Sequence, residues 1–228
     1  MTQRELAEAW EAAIAGSGLP VAMSDAPTPR PRIAFGAPIP MGVAAEAELI
    51  DVYLTERVPT WQVREALQGR LPAGWSLGDL YDVWLAGPAL PGQVAAAVYR
   101  IVLAPVERAG VIGTTLDASV VASAAASLLA ATSLPRERIK GGGPVPYDLR
   151  PLLLDLAVRD PGPPVVVAAT TRFHPELGSG RPEEVIAALG EAIGCPLAAD
   201  AVVRERLLLV EELERGGPPH RFGPTRTR

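Results

Sequence analysis

The chain has 228 residues and a mass of 23.9 kDa, with 48% apolar residues, 21% charged residues and a mean hydropathy of +0.19, which supplies a core and excludes a wholly disordered chain. A formal charge of −5 and a pI near 5.2 exclude a protein held on nucleic acid or an anionic membrane by global charge, so such a partner would have to be met by a local basic patch. A single cysteine, Cys195, excludes an intramolecular disulfide framework, a thiolate zinc cage and a self-contained iron–sulfur cluster, and the expected setting is a cytoplasm.

Met1-Thr2-Gln3-Arg4-Glu5 puts charges where a secretory signal needs its apolar core, so no signal is expected. Thr2 and Glu5 stand three apart as a capping box for a first helix whose buried stripe is Leu6, Trp10, Ala13 and Ile14. Gly16-Ser17-Gly18 stops it. A proline-dense run follows from Ala26 to Pro40, and Arg32 to Ala37 within it reads as an edge strand because proline removes ladder donors. Glu46 to Leu54 alternates as a second strand. A short helix from Thr60 carries Val63, Leu67 and Leu71, and Pro72-Ala73-Gly74 turns into a strand from Trp75 to Leu85.

Ala96 to Leu103 is rich in β-branched residues and reads as a strand. Asp117 is the expected N-cap of a helix from Ala118 to Ala131; its serines and its length keep it short of the roughly 20 apolar residues of a bilayer span. Strands are expected at Leu152 to Val158 and Val165 to Thr171, around the turn Asp160-Pro161-Gly162-Pro163-Pro164. Pro182, Glu183 and Glu184 open a helix with the stripe Val185, Ile186, Leu189 and Ile193 and Gly194 past its end, and Arg204 to Val210 closes as a strand. The order of elements predicts an α+β fold of two ferredoxin-like βαββαβ units in tandem, antiparallel sheets backed by helices, the first unit lacking its first strand. The expected boundaries are 1–90 and 91–214, with 215–228 a flexible basic tail in which His220 is solvated.

Ser17-Gly18-Leu19-Pro20-Val21-Ala22-Met23-Ser24, Arg30-Pro31-Arg32-Ile33-Ala34-Phe35, Pro38-Ile39-Pro40-Met41-Gly42-Val43, Leu71-Pro72-Ala73-Gly74-Trp75, Tyr147-Asp148-Leu149-Arg150-Pro151 and Gly178-Ser179-Gly180-Arg181-Pro182-Glu183-Glu184-Val185 fall in one order across nearly the whole chain. Together they resemble the radical-SAM-linked family of uncharacterised bacterial proteins. The resemblance implies work beside, or fused behind, a radical S-adenosylmethionine protein in an RNA-related setting, and it carries no activity with it. The chain departs from the family where relatives have a basic helix and a Gly-Phe-Asn-Pro-His-Pro-like loop: here stand Glu11-Ala12-Ala13-Ile14 and Asp25-Ala26-Pro27-Thr28-Pro29-Arg30-Pro31, without the loop histidine.

Holding a radical-SAM cluster needs three cysteines, so this chain is at most the partner of such an enzyme. Cys195 is expected as a small apolar residue and His174 as an exposed loop histidine, which leaves no metal site and no resident cofactor. The tryptophans Trp10, Trp75 and Trp84 read as core. Lys140-Gly141-Gly142-Gly143 lacks the Gly-Lys-Ser/Thr order of a nucleotide-phosphate loop. Charge is the more informative signal: Arg136, Arg138, Lys140 (the only lysine) and Arg150 crowd one stretch of an acidic chain, with Tyr147 among them. That stretch reads as a phosphate-contact loop or, alternatively, as a solvated hairpin. Arg181 precedes a helix N-terminus, where an arginine and backbone donors jointly suit an anion. Asp148 is the one acid to consider for catalysis; its alternative role is to fix loop geometry beside Arg150. The leading expectation is a non-catalytic module for RNA or a radical SAM partner, with nucleic-acid contacts at Arg136, Arg138, Lys140, Tyr147, Arg150 and Arg181. The alternatives are a small RNA-modifying enzyme in which Asp148, Tyr147 and Arg150 converge, and a protein–protein adaptor. No membrane partner is expected.

Overall fold

The computed structural model describes residues 3–83, 88–106, 116–140 and 142–214. They form a mixed α+β protein that divides into two compact units, one made of the described parts of residues 1–41, 47–94 and 211–228, the other of residues 42–46 and 95–210.

The first unit is built around helix α1 (Gln3–Ala15), whose apolar stripe puts Ala13 and Ile14 into a core shared with Val63 and Leu67 of α2 (Thr60–Leu67). Thr2 lies outside the described residues, and Trp10 packs on Trp75 with ring centroids 6.3 Å apart. The proline-dense run yields β1 (Ile33–Phe35). The second expected strand narrows to β3 (Ile50–Val52), which pairs antiparallel with β1. Between them in sequence, β2 (Ala44–Ala45) belongs to the other unit.

No strand forms over residues 75–83, where alternation had predicted one. The Arg64 guanidinium donates to the Leu77 and Gly78 carbonyls at 2.9 and 2.5 Å, so a side chain, rather than a neighbouring strand, satisfies these two groups, and Leu77 and Leu80 pack on the core. Trp84 and Leu85 lie outside the described residues. The first unit therefore has a two-stranded sheet among its described residues, and a tandem of two equivalent sheets is not confirmed. The short helix α3 (Leu90–Gln93) leads out of it.

The second unit runs β4 (Val94–Pro105), α4 (Ala118–Ala130), β5 (Pro135–Lys140), β6 (Gly143–Asp148), a 3-10 turn at Arg150–Leu152, β7 (Leu153–Asp160), β8 (Val166–His174), β9 (Gly178–Ser179), α5 (Pro182–Ile193) and β10 (Leu197–Leu209), after which α6 spans Val210–Glu214. Its sheet has the order β2-β10-β4-β8-β7, with β9 paired to the end of β8. β8 lies antiparallel to both β4 and β7, and β2 runs parallel to β10 at its edge. The pair β5–β6 stands apart as its own two-stranded hairpin, inserted between α4 and β7.

Period-two alternation sets the faces of this sheet. Ala97, Tyr99, Ile101 and Leu103 of β4 and Val167, Ala169 and Thr171 of β8 are buried, and α4 and α5 pack against each other and the sheet there. Each large apolar side chain so buried contributes about 1.5–3 kcal/mol. Asp117 caps α4 by accepting from the Ser119 N–H at 2.7 Å, and α5 starts on Pro182 and ends at Gly194 in the left-handed conformation. The opposite face holds Val98, Arg100 and Val102 with Ala168 and Thr170, all half-buried. Arg100 bridges Glu46 and Glu205, and Glu205 also receives Arg159 of β7, so one charge-balanced chain crosses that face. No described helix is long and apolar enough to cross a membrane.

Candidate functional site

The residues singled out by charge converge only in part, because the stretch that holds them is a hairpin with two faces. Cross-strand pairing sets Arg136 opposite Tyr147 and Arg138 opposite Val145, and these four are the half-buried side of the β5–β6 ribbon. Glu137, Ile139, Pro144 and Pro146 occupy the exposed side. The usual pattern is inverted: arginines face in and an isoleucine faces out, 74% exposed. The prolines of β6 leave its outer edge unsuited to further strand addition.

Arg136 is largely committed. Its Nη1 donates to both carboxylate oxygens of Glu191 on α5, at 2.6 and 2.7 Å, and its side chain is only 12% exposed. Arg138 is held differently. Its guanidinium lies over the Tyr147 ring at 5.2 Å and against Gly178 of β9, it contacts no carboxylate among the described residues, and its buried Nε has no hydrogen-bond partner. Gly178 has φ +87°, and a Cβ there would stand 2.5 Å from Arg138 Nη1, so glycine is what lets the guanidinium occupy this place. Arg181 is the residue before α5; it is half exposed and meets Glu183 only at 3.8 Å.

Electrostatics show which of these groups share a site. Burial and the Glu184 charge push the Tyr147 phenol up, opposed by Arg181, Arg138 and Arg136. Burial also pushes Glu184 up, with Glu183 and Glu191 adding to it against Arg136 and Arg181. Tyr147 thus feels the charges of Arg136, Arg138, Arg181 and Glu184, and Glu184 those of Arg136 and Arg181; the contacts themselves join Arg138 to the Tyr147 ring and Arg136 to Glu191. Beside them a shallow depression is lined by Arg136, Glu137, Glu184 and Glu191 with Pro135 and Pro146.

Arg150 and Asp148 belong elsewhere. The Arg150 guanidinium donates to the carbonyls of Leu129, Ala131 and Leu153 at 2.6, 3.1 and 2.7 Å, which caps the C-terminus of α4. Asp148 Oδ1 accepts from the backbone N–H groups of Leu134 and Arg150 at 2.7 and 2.9 Å. Burial would raise its carboxyl, but these bonds, the Ser133 hydroxyl and the Arg150 charge outweigh it and hold the group below its usual range. Tyr147 and Asp148 are consecutive in one strand and so face opposite ways. The convergence of Asp148, Tyr147 and Arg150 that an enzyme would use is absent. Lys140 closes β5 opposite Gly143, and Gly141 lies outside the described residues.

His174 Nδ1 accepts from the N–H groups of Glu176 and Leu177 at 3.2 Å each, bracing the turn between β8 and β9. Cys195 is half-buried, and among the described residues no group of three His, Cys, Asp or Glu side chains is placed to hold a metal ion. Sequence reasoning missed Glu184, Glu191 and Gly178. The seven-residue spacing of the two glutamates along one helix, and the glycine pair before Arg181, were the signals available.

Fold and site together define an α+β protein with an arginine–tyrosine surface on an inserted hairpin. The chain belongs to the DUF2344 family, uncharacterised proteins conserved in bacteria, which matches residues 1–182. The matched stretch takes in the hairpin and Arg181 and stops at the first residue of α5. No curated protein matches the chain.

Proposed function

We propose that this protein is a non-catalytic RNA-binding module that acts in the cytoplasm beside a radical SAM partner, with the β5–β6 hairpin as its RNA contact. The observation that carries this reading is the placement of Arg136 opposite Tyr147 and of the Arg138 guanidinium over its ring, in a protein whose net charge is −5. The radical SAM partner rests on the sequence resemblance alone. Within the fold, the order β10-β4-β8-β7 and the succession β4, α4, β7, β8, α5, β10 support reading the second unit as ferredoxin-like, with the hairpin as its insertion.

The sheet itself is a poor platform for bases. Opposite α4 and α5 its central strands offer Val98, Arg100, Val102, Ala168, Thr170 and Arg172, with no Phe, Tyr or Trp ring among them on which a base would stack, and Arg100 is already engaged by Glu46 and Glu205. Contact with RNA therefore falls to the hairpin. An enzymatic role for Asp148 is disfavoured because its carboxylate is occupied by backbone donors. RNA co-purification and filter binding test the reading. Wild-type protein should retain RNA, and the double substitution Arg138→Glu with Lys140→Glu should lower affinity at least about tenfold, as expected when two positive charges are inverted at a phosphate contact. Retention of a protein partner without RNA, or unchanged RNA binding by the double variant, would overturn it.

A further inference from the structure

We propose that the free edge of β5 takes an extended segment of a partner protein as an added antiparallel strand, one that sets an apolar, an acidic and a basic residue in succession against Ile139, Arg138 and Glu137. The proposal concerns the backbone of the hairpin and does not rest on the RNA-binding reading.

The prolines decide which backbone groups are free. Pro144 and Pro146, which pair with Ile139 and Glu137, have no N–H to exchange, so the ladder bonds fall to the alternate pairs: Arg136 with Tyr147, Arg138 with Val145 and Lys140 with Gly143. The N–H and C=O groups of Glu137 and Ile139 therefore point away from β6. β5 pairs with β6 alone, and no backbone bond from another described segment reaches Glu137 or Ile139. Both residues are exposed. The two edges of the ribbon are unlike: proline closes the outer side of β6, and no described segment closes that of β5. Three successive residues of β5, Pro135, Arg136 and Glu137, line the shallow depression with Glu184, Ala187 and Glu191 of α5, so space lies beside the strand.

Charge selects the occupant. A second copy would pair β5 with β5 antiparallel about a twofold axis, and each register centred from Arg136 to Ile139 sets a cation opposite a cation: Arg136 on its own copy, Arg136 on Arg138, Arg138 on its own copy, or Arg138 on Lys140. The strand thus repels itself while its outward donors and acceptors stay available, which is selection by repulsion. A foreign strand escapes that repulsion with an acid opposite Arg138, whose guanidinium contacts no carboxylate among the described residues. A base belongs opposite Glu137, where Glu184 and Glu191 line the same depression. An apolar side chain opposite Ile139 covers a residue that is 74% exposed.

The test is an amide NMR titration of the full chain with a synthetic peptide of about nine residues, Gly-Ser-Thr-Val-Glu-Lys-Thr-Ser-Gly, to about 1 mM, the weak end of specific affinity. The amides of Glu137 and Ile139 should shift, and that of Val145 on the far strand should not. Lys in place of the peptide's Glu should weaken binding about fivefold, and Arg138→Glu should restore it. Ile139→Pro removes an outward donor without removing a ladder bond, as Pro144 and Pro146 do on β6, and should lower affinity at least about tenfold, whereas Ile139→Val keeps the donor and should stay within about twofold of wild type. Unchanged Arg138 and Val145 amides in Ile139→Pro report an intact hairpin; if they are lost, the charge exchange at Arg138 decides. Silence at Glu137 and Ile139, binding that survives Ile139→Pro in an intact hairpin, or a peptide preference indifferent to Arg138→Glu would overturn the proposal. A dimer of the free protein that Ile139→Pro makes monomeric would overturn it too, because a second copy would then hold the edge. RNA retention should be the same in Ile139→Pro as in wild type; its loss, without a peptide response in wild type, would assign the edge to RNA and sink the proposal.

Discussion

Asp148 and Glu184 lie near the same hairpin and should respond to pH in opposite directions. The Asp148 carboxylate is stabilised by two backbone donors, so its folded-state value is depressed. Its contribution is complete above the ordinary unfolded value of about 3.9 and is lost as pH falls through the folded one. Urea unfolding of wild type and Asp148→Asn should therefore diverge most near neutrality and converge below about pH 4. Glu184 is raised, chiefly by burial, so its carboxyl favours folding while protonated and that advantage is lost as pH rises through the folded value. Glu184→Gln should be at least as stable as wild type at pH 7 and should lose that standing in acid; an unchanged difference across the range would refute the assignment. Arg150→Ala should lower stability by about 1.5–3 kcal/mol in the same assay, because three carbonyls lose a charged donor.

At the scale of elements, the long periodic segments were legible: α1, α4, α5, β4, β7 and β8 announce themselves by an apolar stripe or a β-branched run bounded by Asp117, Pro182 or Gly194, whereas β10, expected at Arg204 to Val210, starts already at Leu197 and ends at Leu209. The β5–β6 hairpin read equally well as a loop, since its inward positions are Arg136 and Arg138 and its outward ones include Ile139, the reverse of the alternation that marks a strand. Residues 75–83 made the opposite error possible. They alternate like a strand, but a strand needs a partner, and here Arg64 takes the Leu77 and Gly78 carbonyls. The site was legible as a concentration of charge, not as a constellation, because hydrogen bonds that sequence spacing does not reveal, from Arg150 to the end of α4 and from the Leu134 and Arg150 N–H groups to Asp148, remove both residues from it. Within α5, Gly190 runs against helix propensity by about 1 kcal/mol, and its reason is contact: a Cβ there would stand 2.9 Å from the Cys195 carbonyl and 3.0 Å from the Leu197 nitrogen. Gly190→Ala should accordingly destabilise by about 1–3 kcal/mol in urea, overpacking outweighing the gain in propensity. A stabilised variant would show that the turn into β10 moves aside.

For the whole molecule, an acidic chain that binds RNA has to do so at a place where its own carboxylates do not already hold the cations. On the sheet face opposite the helices, Arg100 and Arg159 are engaged by Glu46 and Glu205. On the hairpin, Arg138 lies over the Tyr147 ring and contacts no carboxylate among the described residues. The family match to residues 1–182 includes this hairpin but carries no activity, so binding itself is the quantity to measure. The most direct measurement is the affinity of wild type and of the double variant Arg138→Glu, Lys140→Glu for one single-stranded RNA at fixed salt, with circular dichroism confirming equal folding. A loss of at least about tenfold in the double variant is the predicted result. Equal affinity of the two folded proteins, or no measurable affinity in either, would contradict it.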